Sequence, residues 1–276
     1  MKIVRTFACL LLIGLLAAPL QAQAQARPPS SEQISAVLYE IGTRHYVDAM
    51  SARMNVPPAV RPHFSSSMIG IRSNSMFRRY MTDAITTHHR LLTDTAGGLS
   101  IDRVHDYAIE TTEALFLYGL QLLSTQDLRD YLTMLSTMLR RASPGDCLGM
   151  IGGASSDRHA RAIELGLLAR FAPQEIARYY QIYTRSVINA LSPDRSVFLT
   201  ASQVAAAERI FRAALQTTLA QRPDRRNIAD ALATLDNPTN PYHCMIVIMM
   251  YEEALRMQGR DGDLVVRWIA RGRNEN

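Results

Sequence analysis

Apolar positions along this chain recur at intervals of three and four, the spacing of one helix face, and no stretch of clean two-residue alternation competes with it. The pattern is clearest from Leu128 to Leu139. There Leu128, Tyr131, Leu132, Leu135, Met138 and Leu139 form one stripe, while Arg129, Asp130, Thr133 and Arg140 face away. Start signals punctuate the pattern. Ser30 with Gln33, Ser124 with Asp127, and Thr200 with Gln203 have the spacing at which a side chain caps the first turn and a residue three positions on answers it. Ser100 stands between Leu99 and Val104, which can staple together, and Pro173 suits a first turn with Glu175 near its positive end.

These signals predict helices near 31–53, 73–92, 101–123, 125–141, 157–171, 173–191, 201–221, 225–235, 242–257 and 263–271. The three prolines between Asn55 and Ser67 read as an irregular connection, and Ser143 to Ser156 as a Gly/Ser loop. Two segments, 115–123 and 244–251, are apolar nearly all round, so other helices are expected to enclose them. The expected fold is all-α: a single compact bundle of nine or ten helices over residues 27–276, with those two segments at its centre.

Residues 1–26 belong to a different kind of segment. Lys2 and Arg5 precede an apolar run from Phe7 to Leu20, and then comes Ala22-Gln23-Ala24-Gln25-Ala26, the order of a secretory signal peptide cut after Ala24 or Ala26. The run falls short of the ~20 apolar residues of a spanning helix, and no later stretch approaches that length. Cys9 stands at the front of the run, away from the cleavage point, which excludes lipidation there. The expected compartment is the bacterial periplasm, or the exterior.

Export changes the reading of charge and cysteines. Lys2 and Arg5 are two of the 30 basic residues, so 28 remain against 25 acidic ones, a formal charge of +3. The two signs alternate along the chain, leaving no footprint for nucleic acid. Cys147 and Cys244 are the pair left after the leader. In an oxidising compartment they are expected to form a disulfide closing a loop of nearly 100 residues.

Candidate chemistry is sparse. Asp106, Glu110 and Glu113 share one helical face, with Asp102 a turn earlier and His105 on the next stripe. His105, Glu110 and Glu113 are the candidates for acid/base catalysis. His88 or His89 with His105 and Glu113 is the one metal triad that helix geometry permits, although a solvated acidic face explains the same residues. Tyr179, Tyr180 and Tyr183, flanked by Arg178 and Arg185, form a candidate binding face, since tyrosine and arginine are enriched at interfaces. The same tyrosines fit a buried stripe. The Gly149–Asp157 stretch has no Walker lysine and no Gly-x-Gly-x-x-Gly, and the chain carries no His-Glu-x-x-His, no Cys-x-x-Cys and no EF-hand loop, so no cofactor is implied.

The expectation is an exported helical interaction protein, of inhibitor, chaperone or scaffold type, whose partner is another exported protein. The alternatives are a hydrolase built on the Asp/Glu/His cluster and a helical receptor for a small apolar or aromatic ligand. The 13 methionines lend the receptor some support, because methionine adapts to irregular cavities.

Overall fold

A computed structural model describes residues 28–94, 98–152, 157–191, 198–234 and 239–271. The leader therefore lies outside the described residues. So does the part of the Gly/Ser loop from 153 to 156. Among the described residues every extended element is a helix. There are thirteen: α1 Ser31–Ile41, α2 Arg44–Arg53, α3 Arg61–Ser73, α4 Ser75–Leu92, α5 Ile101–Leu120, α6 Thr125–Arg141, α7 Pro144–Gly152, α8 Asp157–Leu168, α9 Pro173–Ala190, α10 Ala201–Ala220, α11 Arg225–Ala233, α12 Pro241–Arg256 and α13 Gly259–Arg271.

The all-helical expectation holds, but a count of nine or ten does not, and each extra helix has a local cause. The segment 31–53 divides because Gly42 ends α1 and Thr43 caps α2, its hydroxyl accepting from the Tyr46 amide at 3.3 Å. The second half of the proline-rich connection is the start of α3, which runs on to Ser73. Pro62 sits in the first turn of that helix, where a missing N–H costs no hydrogen bond. The Gly/Ser loop contains α7, which a disulfide holds in place: Cys147 is bonded to Cys244 on α12, with Cα atoms 6.0 Å apart. The caps at Ser30, Ser100, Ser124 and Thr200 form as expected.

The main apolar core runs from Ile34 on α1 to Ala270 on α13, and a smaller cluster joins Ile228 and Ala231 of α11 to Ile246 and Met249 of α12. The first half of the main core is organised by the packing of α5 along α9, with α3 also against α9 and with α1 and α4 against α5. Its second half surrounds α12, which touches α6, α7, α10, α11 and α13. The expected enclosure of 244–251 is therefore met by five helices. The other apolar segment is less enclosed, because Leu117 remains 38% exposed. The junction of α12 and α13 is clamped by Arg129 of α6, which donates to the carbonyls of Leu255 and Met257 and to Asp263. Gly262 lies so close to the Met257 carbonyl that any side chain there would collide with it.

Candidate functional site

The helix α5 carries three of the sequence-selected residues, and its helical repeat sends them to three different environments. His105 turns inward. Its Nδ1 faces Arg72 Nη2 of α3 at 3.5 Å, and its ring stands edge-on to Tyr46 at 5.2 Å. Arg72 is itself buried. It donates to the Ile41 carbonyl at 2.6 Å and approaches Met50 Sδ, while its Nε has no partner. Burial, followed by the neighbouring Arg72 and Arg53, drives His105 down to about 4, against which Asp102 pulls weakly. Burial also lowers Arg72 to about 10. The imidazole is thus neutral at physiological pH, and its Nδ1 lone pair is directed at the guanidinium.

Glu113 turns toward α8, where it forms an ion pair with Arg161. Glu110 faces outward. His88 lies exposed at a kink in α4, its ring 6.0 Å from that of Tyr107, and His89 is hydrogen-bonded to the Thr86 carbonyl. The metal triad and the catalytic trio drawn from the sequence are therefore not brought together, and no three His, Cys, Asp or Glu side chains among the described residues gather as metal ligands.

Tyr179, Tyr180 and Tyr183 come together as the sequence spacing implies, but inside the molecule. With Phe64, Thr112 and Arg161 they line a cavity of about 50 Å³. Tyr183 stacks on Phe116 at 4.5 Å, and the Tyr179 hydroxyl donates to Glu164. Burial pushes all three phenols well above their usual range, and Glu164 adds to the shift. The cavity has room for water and is much smaller than the ~150 Å³ of an apolar cavity that takes benzene. Arg178 and Arg185 point to α6. Arg178 bridges Asp127 at 2.7 Å and Asp130 at 2.6 Å, and Arg185 forks onto both oxygens of Asp127. Burial alone would raise the Asp127 carboxyl, but the Ser124 hydroxyl, Arg185 and Arg178 outweigh it and hold the group below its ordinary value.

A second opening lies on the outer side of α5, and the sequence reading passed over it. Tyr80 of α4, Tyr107, Glu110, Ala114 and Tyr118 of α5, and Ala190 of α9 line an open groove of about 530 Å³. Burial, the nearby Tyr80 and Glu110 raise the Tyr107 phenol. Neither Glu110 nor Asp106, one turn before it, has an ion-pair partner among the described residues. The large hydrophobic side chains left exposed among the described residues are Tyr39 on α1, Met76, Tyr80 and Leu91 on α4, and Ile101 and Leu117 on α5. These three helices pack on one another. The spacing of Tyr107 and Tyr118, three turns apart, was the available signal for a shared face.

No family model, curated protein or solved structure matches this chain. A functional reading therefore rests on the surface and its chemistry.

Proposed function

We propose that the protein is an exported helical interaction protein that binds another exported protein without catalysing a reaction, with the α1–α4–α5 face as its contact surface. One observation carries the reading: the exposed large hydrophobics of the described residues fall on these three helices and none on α6 to α13. Scattered exposed apolar groups are ordinary, whereas their concentration on three adjoining helices marks an association surface, and Tyr80 among them lines the groove. Tyrosine-rich grooves also match the composition of interface centres. The bond between Cys147 and Cys244 fits a compartment where thiols are oxidised, in keeping with residues 1–26 acting as an export signal. Among the described residues no helix is long and apolar enough to cross a membrane.

The test is affinity capture from a periplasmic extract with the mature chain and with surface variants. Met76→Asp and Tyr80→Asp, one turn apart on α4, place charges on the proposed face, and Gln216→Glu on α10 serves as control. A species retained by the wild type and the control but lost by both α4 variants supports the reading. Retention that is indifferent to the α4 variants contradicts it.

A further inference from the structure

We infer that the α4–α5 groove recognises an extended segment of its partner in which an Arg or Lys lies a few residues from an apolar side chain. The inference rests on the interaction reading above and adds the chemistry of the occupant. The groove has two unlike ends. Tyr107 and Tyr118 are eleven residues apart on α5, about 16 Å along the helix axis. An extended chain spans that distance in about five residues. Near Tyr107 the groove is acidic and aromatic: Glu110 lines it one turn on, and Asp106 stands exposed beside it. Near Tyr118, whose ring meets that of Phe198, the described lining is apolar: Ala114, Leu115 and Ala190.

Among the described residues no cation forms an ion pair with Glu110 or Asp106. Arg78 of α4 donates to the Arg72 carbonyl at 3.0 Å, and Arg103 of α5 donates to the Thr93 carbonyl at 2.7 Å. Glu110 is therefore an exposed carboxylate that shares the groove with Tyr80 and Tyr107 and has no ion-pair partner among the described residues. A partner's guanidinium or ammonium supplies that charge, while its aliphatic stem and cationic head lie across the faces of Tyr80 and Tyr107. The apolar side chain then enters beside Ala114 and Tyr118. A segment with acidic flanks meets repulsion at Glu110 and Asp106, so charge sets the direction in which a segment lies as well as which segments bind.

Selection on a phage-displayed library of random dodecapeptides tests this, with the immobilised, disulfide-intact mature chain as bait. The expected enriched sequences carry Arg or Lys two to five residues from Leu, Ile, Phe, Tyr or Trp. The same selection on Glu110→Lys is expected to exchange the basic flank for Asp or Glu. A synthetic peptide from the wild-type pool is expected to bind Glu110→Gln about five-fold more weakly, with the loss shrinking at high salt. Glu110 is on the helix surface, and unchanged far-UV circular dichroism and melting temperature of the variants verify that the fold is intact. No enrichment, enrichment without a basic residue, or a pool that Glu110→Lys leaves unchanged overturns the inference. If those results coincide with a partner lost by Tyr80→Asp in the capture experiment, the chemistry assigned to the groove fails while the interaction reading stands.

Discussion

Gly119 on α5 and Ser186 on α9 touch backbone to backbone: a methyl group built on Gly119 would stand 1.9 Å from the Ser186 carbonyl oxygen. The same serine donates its hydroxyl to the Phe116 carbonyl at 2.6 Å, so the two helices are held as well as close. Since the obstacle is backbone, a side chain at position 119 must part the helices. Gly119→Ala is expected to cost about 3 kcal/mol or more, and Ser186→Ala about 1 kcal/mol. Urea unfolding of both variants checks the order of the two effects.

Acid sensitivity follows from the buried contact of His105 with Arg72. The folded protein resists protonating this ring until about pH 4, whereas an unfolded chain takes up the proton near 6.5. The unfolded state therefore binds more protons between those values, and stability falls as pH drops from 6.5 to 4, then levels off. The loss amounts to ~1.4 kcal/mol per pH unit, ~3 kcal/mol in all. His105→Gln, which keeps an acceptor near Arg72 but cannot titrate, is expected to flatten this dependence. The depressed Asp127 carboxyl acts in the same direction but only below its ordinary value of 3.8, so the two windows separate. Unfolding midpoints measured at half-unit steps of pH check the result.

Asp127 gathers two arginines at the first turn of α6. Asp127→Asn would leave Arg178 and Arg185 without their shared carboxylate and weaken the link between α6 and α9. Both arginine side chains are partly exposed, 31% and 49%, so water relieves part of the cost. The expected loss is about 2 kcal/mol. Asp106→Asn, at an exposed site without an ion pair, is expected to change stability by less than about 0.5 kcal/mol. Thermal denaturation of the pair separates the two cases.

The bond between Cys147 and Cys244 closes a loop with a sequence separation of 97. Restricting so long a loop in the unfolded chain stabilises the fold by about 4.7 kcal/mol in the chain-entropy account, before any native-state strain is subtracted. A double Cys147→Ser, Cys244→Ser variant is expected to lose about 2–4 kcal/mol and to behave like the reduced wild type. A midpoint that dithiothreitol leaves unmoved would contradict this.

Helix type and most helix starts were legible in the sequence because they are local: Ser30, Ser124 and Thr200 cap within three residues of themselves. The break at Gly42-Thr43 was equally local and went unread, since the apolar period continues across it. The helix at Arg61–Ser73 was hidden by prolines that are harmless in a first turn. Side-chain surroundings were far less legible. Periodicity puts Tyr179, Tyr180 and Tyr183 together, but whether that side meets solvent or Phe64 and Phe116 depends on how α3, α5 and α9 pack. Likewise Glu110 and Glu113 belong to one acidic stripe in sequence. Arg161, forty-eight residues on from Glu113, decides that one is paired and the other open.

The central claim is that the α4–α5 face holds a partner, and photo-crosslinking in living cells tests it most directly. A benzophenone amino acid replaces Tyr80 in one strain, Ala114 in a second and Gln216 on α10 in a third. The account predicts one discrete crosslinked species of the same added mass from positions 80 and 114, and none from 216. Adducts absent from the two groove positions, or formed from position 216 alone, would contradict it.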